Sequence, residues 1–192
     1  MKYIKLSPHQ TLYLGDYKDV LGDLDRGEYD AIITDPPYDM RLSIEDFSDC
    51  NGNKLFFCKP ENQFFRADEY LFWTKTPSTK NYSHNCGRFV EIILVKRGID
   101  APFNPLHWSQ MIGIYDDRLI YPPVHPFEKP IALLERLIRI YTNPGDTVFD
   151  PFMGSGSVGI ACQKLGRRYI GSDIDPEYFA LSKRRLEEAS NE

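Results

Sequence analysis

Thr147-Val148-Phe149-Asp150-Pro151-Phe152-Met153-Gly154-Ser155-Gly156-Ser157 is the stretch that decides the fold. Thr147-Val148-Phe149 suits a buried strand, and residues 157–165 read as a helix that stops at Gly166. Glycines at a strand-to-helix turn permit a tight reversal and let a ligand come close to the backbone. A second strand follows, Arg168-Tyr169-Ile170-Gly171-Ser172-Asp173, and its final carboxylate stands 23 residues after Asp150. An acid in that place can accept hydrogen bonds from both ribose hydroxyls of a nucleoside. Strand, glycine loop, helix, strand and acid together describe a nucleoside half-site.

Gly154, Gly156 and Gly159 also spell G-x-G-x-x-G, a weak signal for a dinucleotide when it stands alone. Two features count against that ligand. Asp150 and Pro151 separate the strand from the first glycine, where a dinucleotide fold turns at once. Only 33 residues follow Gly159, too few for a second nucleotide half. S-adenosyl-L-methionine has one nucleoside and no pyrophosphate, so one half-site suffices for it. A glycine turn with no ligand is the plain alternative, and Asp173 argues against it.

Upstream, residues 130–141 predict a helix. Ile131, Leu134, Ile138 and Tyr141 share one face, Pro130 suits the first turn, and Asn143-Pro144-Gly145-Asp146 ends the element. Ala31-Ile32-Ile33-Thr34 reads as a buried parallel strand. Further strands are expected at Leu55-Phe56-Phe57-Cys58, Tyr70-Leu71-Phe72-Trp73 and residues 89–95, with one or two more in residues 3–14. Short helices are expected at residues 18–24 and 177–189. Residues 40–53 and 76–87 read as loops, the first polar and mobile, and residues 101–123, with four prolines, as irregular. Strands alternating with helices predict an α/β layered fold with a largely parallel sheet. The 192 residues suit one domain.

Asp35-Pro36-Pro37-Tyr38 is the second chemical signal. It follows the 31–34 strand, so it lies at a carboxyl end, where α/β sheets place ligands. The exocyclic amine of adenine or cytosine is a poor nucleophile because its lone pair is delocalised into the ring. A site that accepts both N–H protons can free that lone pair. Asp35 can take one, and a backbone carbonyl stiffened by Pro36 and Pro37, that of Pro36, can take the other. Tyr38 can stack on the base and replace the stacking lost outside the duplex. The structural alternative is an Asp-Pro turn with a core tyrosine.

With these residues in view, the chain resembles the DNA amino-methyltransferases, the N6-adenine and N4-cytosine enzymes. The resemblance rests on Leu14-Gly15-Asp16, on residues 30–38, on His125-Pro126-Phe127-Glu128-Lys129-Pro130, on the 150–156 loop and on Tyr169-Ile170-Gly171-Ser172-Asp173. The order, with the amine motif first, is similar to the permuted β group. The resemblance implies a single Rossmann-like domain over residues 1–192 with a mostly parallel seven-stranded sheet flanked by helices. It implies base flipping from double-stranded DNA and S-adenosyl-L-methionine as cofactor. Asp35, Pro36, Pro37 and Tyr38 would serve the target base. Asp150, Phe152, Gly154, Ser155, Gly156, Ser157 and Asp173 would form the cofactor site, Asp16 would contact its adenine, and Lys129 would lie near its methionine end. A homodimer is plausible on the same ground.

The sequence departs from the family at Ser157, Asp173 and Asp39, where threonine, glutamate and a small or amide residue are commoner. Only 86 residues separate Tyr38 from His125, which leaves little for a separate target-recognition domain. An aspartate heading the motif favours adenine N6 over cytosine N4. RNA or a protein amide is a rival substrate, and a catalytically silent nucleic-acid-binding subunit is a rival of another class. The net charge of −5 is mildly unfavourable for nucleic acid, but residues 54–97 hold eight basic side chains against four acids and are expected to contact phosphates. The opening residues lack a signal-peptide pattern and no apolar run is long enough for a membrane helix, so a cytoplasmic location is expected. Cys50, Cys58, His84 and Cys86 do not match a common zinc spacing, and no metal is expected.

Overall fold

The computed structural model describes residues 2–25, 27–37, 39–40, 42–59, 65–74, 90–106, 114–115 and 128–191. Nine strands and four α-helices follow one another: β1 (Lys2–Ser7), β2 (Gln10–Leu14), α1 (Tyr17–Asp23), β3 (Ala31–Thr34), β4 (Lys54–Cys58), β5 (Glu69–Thr74), β6 (Val90–Lys96), β7 (Ile114–Tyr115), α2 (Ile131–Tyr141), β8 (Thr147–Asp150), α3 (Ser157–Lys164), β9 (Arg168–Asp173) and α4 (Pro176–Ala189). The sheet order is β1-β2-β9-β8-β3-β4-β6-β5-β7. Strands β2, β9, β8, β3 and β4 form a continuous parallel block. β6 runs against β4 and β5, and β1 runs against β2. The sheet is thus mostly parallel, as expected. Among the described residues it has nine strands rather than seven, because β1 and the two-residue β7 extend its two edges.

Side chains alternate between two cores, one on each face of the sheet, as strand geometry requires. Ile33, Leu55, Phe57, Val148 and Tyr169 face α2, α3 and α4. Their neighbours Ile32, Phe56, Phe149 and Ile170 face α1 and the 40–53 segment. A near-continuous apolar run such as Ala31-Ile32-Ile33 is therefore buried from both sides. Helix α2 buries more than the predicted stripe: Leu133, Leu137 and Ile140 join Leu134, Ile138 and Tyr141, and Ile131 is half-buried. Pro130 stands at its N-cap position, one residue outside the first turn.

The polar 40–53 segment corrects the expectation of a mobile loop. It contains a 3-10 helix, Ile44–Phe47, capped by Ser43. Phe47 is fully buried between Tyr17 and Phe56, with ring centroids 5.7 and 5.5 Å apart, and Leu42 and Cys50 are buried beside it. The Tyr17 hydroxyl donates to Asp46 at 2.9 Å. One buried aromatic anchors a stretch whose composition is otherwise that of a loop. The predicted 76–87 loop lies outside the described residues, as does most of the 101–123 segment; residues 101–106 are irregular, as expected. Among the described residues no helix is long and apolar enough to cross a membrane.

Candidate active site

Two loops meet because their strands are neighbours. β3 and β8 pair in parallel, with Ala31 opposite Val148 and Ile32 opposite Phe149, so Asp35 and Asp150 leave the same edge of the sheet. From β8 the chain crosses through α3 to β9 on one side; from β3 it goes to β4 on the other. Such a reversal opens a crevice at the strands' carboxyl ends. Thr34 Oγ1 donates to Asp150 Oδ1 at 2.6 Å and joins the two strand ends beneath that crevice. Above it lies a cavity of about 1000 Å³ lined by residues from both loops, among them Asp35, Pro36, Pro37, Phe152, Gly154 and Asp173.

The glycine loop forms one wall. Gly154 and Asp175 donate their N–H groups to the two oxygens of Asp173, at 3.0 and 2.9 Å. Burial pushes the Asp173 carboxyl above its usual range, and those two bonds pull it part of the way back. Each oxygen still has lone-pair capacity for a further donor. Asp16 caps α1 by accepting from the Lys18 N–H at 2.8 Å and also lines the cavity. Phe152 packs 5.1 Å from the Tyr17 ring. Ser155 and Ser157 join hydroxyls at 2.9 Å and both touch the cavity. Behind the loop, α4 holds it with two side chains one turn apart. Ser182 donates to the Gly154 carbonyl at 2.6 Å, and Arg185 donates to the Ser155 carbonyl at 2.7 Å and to Glu128 at 2.5 Å.

Two of the predicted residues sit deeper than the cavity wall. Gly156 is absent from the cavity lining; its φ of 76° is left-handed, and a Cβ there would come within 3.2 Å of Ser182. It is the turn that lets α4 close on the loop. Asp150 touches the cavity but is wholly engaged below it. It accepts from Thr34, from the Phe152 N–H at 3.3 Å and from the Tyr169 hydroxyl at 3.3 Å. Burial raises its carboxyl to about 7 despite the Thr34 bond. Gly159, third in the glycine pattern, is a packing residue: a Cβ would lie 2.7 Å from the Tyr169 ring that reaches Asp150.

The other wall carries Asp35, Pro36, Pro37, Phe57 and Lys129. Tyr38 lies outside the described residues. The Lys129 ammonium pairs with Asp35 Oδ2 and lies 3.5 Å from Glu91 Oε2. It sits 5.2 Å from the centroid of Phe57 and 6.0 Å from that of Trp73. Lys129, expected near the methionine end of a cofactor, lines the cavity and pairs with Asp35 of the amine motif. Sequence reasoning did not find Glu91, Tyr17, Ile174 or Tyr178. Glu91 sits in an apolar strand, and the rest carry no local pattern that marks a site.

The predicted phosphate contacts are partly corrected. Lys54 is buried and donates to the Cys50 and Gly52 carbonyls. Lys96 pairs with Asp68, and Arg97 pairs with Glu69 and lies over the Phe103 ring. A side chain already held by its own chain is a poor phosphate ligand. Lys59 reaches the cavity, while Lys75, Lys80 and Arg88 lie outside the described residues. Cys50 and Cys58 are buried in separate clusters, and His84 and Cys86 are likewise outside the described residues.

A glycine loop and a strand-end acid beside a carboxylate-proline motif, at the switch point of a largely parallel sheet, define a Rossmann-like α/β fold. A family model described as DNA methylase, N6/N4 type, matches residues 107–184. The type II methyltransferase M.HpaI of Haemophilus parainfluenzae is 36% identical over 132 residues, 66% of this chain and 40% of that protein. The DNA adenine methyltransferase YhdJ of Escherichia coli strain K12 is 48% identical over 67 residues, 35% of this chain and 23% of that protein. The crystal structure of an M1.HpyAVI–SAM complex superposes with a TM-score of 0.72 at 30% identity, covering 92% of this chain and all of that one. The chain belongs to the N6/N4 DNA methyltransferase family. Its matched stretches span less than half the length of these two curated relatives.

Proposed function

We propose that this chain transfers a methyl group from S-adenosyl-L-methionine to the exocyclic amine of a base in DNA, at N6 of adenine. One observation carries the reading: Asp35 and Asp173, 138 positions apart in sequence, line the same cavity at the carboxyl ends of β3 and β9, on either side of β8.

The donor set fits the cofactor. A nucleoside offers two ribose hydroxyl donors, and the half-buried Asp173 carboxylate has acceptor capacity left over after its bonds to the Gly154 and Asp175 N–H groups. Phe152, Ile174 and Tyr178 supply apolar surface for an adenine ring, Asp16 a polar edge, and Gly154 and Ser155 a backbone close enough for the amino-acid end. When bound, the cofactor supplies an electrophilic methyl carbon on sulfonium. Everything else falls to the chain's own groups. Asp35 accepts one N–H of the amine and the Pro36 carbonyl the other, which turns the nitrogen lone pair out of conjugation. Tyr38 stacks on the flipped base. The Lys129 ammonium pairs with the Asp35 carboxylate and holds it in place. The proton lost by nitrogen goes to water or, transiently, to Asp35. Holding the amine in place supplies most of the rate gain.

Adenine is favoured because an aspartate heads the motif and because one relative is named as an adenine enzyme. Tritium transfer from labelled cofactor to DNA, RNA and protein, followed by nucleoside analysis, tests substrate class and base together. N6-methyladenine in DNA is the expected product; N4-methylcytosine would move the assignment to the other base, and label only in RNA or protein would overturn it. Asp35→Ala should abolish transfer and leave cofactor affinity near the wild-type value by calorimetry. Near-normal turnover would remove Asp35 from the mechanism.

A further inference from the structure

Lys129 stands between two carboxylates from different strands. Asp35 follows β3, while Glu91 belongs to β6, on the far side of β4. Lys129 and Glu91 are each about one-twentieth exposed, and the Phe57 and Trp73 rings flank the ammonium. Burying charges this deeply costs solvation that a structural pair seldom recovers, since apolar side chains would fill the same space at less cost. A second buried acid adds to that cost. The Lys129 ammonium is shared between the two carboxylates.

We infer that Glu91 is a positioning residue for methyl transfer, drawing part of the Lys129 charge away from Asp35 so that Asp35 keeps its capacity to accept the amine proton. The inference rests on the function proposed above. An ammonium held by Asp35 alone would neutralise that carboxylate and weaken it as an acceptor toward the target N–H. An Asp35 without any cation would be penalised in the ionised form by burial. Sharing sets the carboxylate between these limits. As the new N–C bond forms, the methyl–sulfur bond breaks with its electron pair left on sulfur; nitrogen becomes positive, one N–H proton passes to the Asp35 carboxylate, and the electron pair of the N–H bond stays on nitrogen. Water then takes the proton from Asp35. Lys129 and Glu91 touch neither methyl donor nor amine in this scheme; they act through Asp35.

The test uses the full chain and the isosteric variant Glu91→Gln. Its kcat on DNA should fall between about 10- and 100-fold, as for a small misplacement of a reacting group. Its KM for DNA and its calorimetric affinity for S-adenosyl-L-methionine should stay within about threefold of wild type, because no contact to either is removed. In the cofactor-free protein, the Lys129 side-chain ammonium resonance, identified by its loss in Lys129→Met, should shift. Unchanged kcat with an unshifted resonance would overturn the inference.

A second comparison separates positioning from mere packing. In the Lys129→Met background, Glu91→Gln should have no further effect on kcat, since its route to Asp35 is gone. An equal loss in both backgrounds would overturn the inference. This comparison also serves if Glu91→Gln alone fails to fold, because the double variant holds no uncompensated ammonium. Wild-type protein that methylates nothing would overturn the proposed function itself. An active wild type with an unimpaired Glu91→Gln would overturn only the inference.

Discussion

The two walls of the cavity are built in opposite ways. The cofactor wall is nearly contiguous: Asp150 to Asp173, one strand-loop-helix-strand unit, supplies the glycine turn, the aromatic and the acid. The amine wall is assembled from three separate stretches, with Asp35 after β3, Phe57 on β4 and Lys129 before α2, and Glu91 of β6 stands beside Lys129. The first is fixed by hydrogen bonds within that unit, such as Gly154 to Asp173, and by Ser182 and Arg185 of the helix that follows it. The second depends on sheet order to bring distant charges together. A contiguous wall keeps its shape wherever its supersecondary unit folds, whereas an assembled wall exists only once the whole sheet is paired.

Substitutions can set these two constructions against each other. The largest effect is expected from Asp173→Ala, which removes the proposed ribose acceptor and one anchor of the glycine loop. Two hydrogen bonds to a charged group are worth enough together to weaken cofactor binding by about 100-fold or more. Titration calorimetry reads this directly, and a variant that keeps its affinity but loses turnover would erase the division between the walls. Thr34→Val is next. It deletes the bond to Asp150 at the root of both loops and leaves a buried carboxylate short of a donor, at a cost of about 1–3 kcal/mol. Thermal unfolding should show the loss, and both cofactor affinity and kcat should drop; a fall in one alone would mean that the walls are not joined there.

The smallest effect concerns pH. Asp150 is raised from 3.8 to about 7 by burial, so its folded value lies above its unfolded one. Its contribution to stability is therefore complete below about pH 4 and fades as pH climbs toward 7. Asp150→Asn mimics the protonated form at every pH. The melting temperature of wild type, relative to that variant, should decline across this window, and parallel profiles would show that Asp150 is ionised throughout.

The contrast also explains what the sequence made legible. Strands β3, β8 and β9 and helices α2, α3 and α4 were readable because burial from both faces, or from one face of a helix, leaves an apolar signature in consecutive or regularly spaced residues. The Asp35 and Gly154 motifs were readable because each compresses its chemistry into a few adjacent positions. Glu91 was not, for a physical reason. It lies within Val90-Glu91-Ile92-Ile93-Leu94-Val95, where strand periodicity marks it as an ordinary core-strand position, and its partner is 38 residues away. The 40–53 segment misled in the opposite direction. Its polar composition hides Phe47, whose burial is set by Tyr17 and Phe56 and not by anything local. Lys54 and Arg97 show a third limit: a basic side chain counts toward a phosphate surface only if no carbonyl or carboxylate of its own chain has already claimed it.

The bond from Thr34 to Asp150 makes the sheet a ruler. Adjacent strands keep a spacing of about 4.8 Å whatever their side chains, so the gap between what β3 and β8 each present is inherited from backbone pairing. Reach across the crevice then needs no tuning by the surrounding segments. Those segments are free to vary in length and composition, and so to change which partner is admitted, without disturbing how far the reacting groups stand apart.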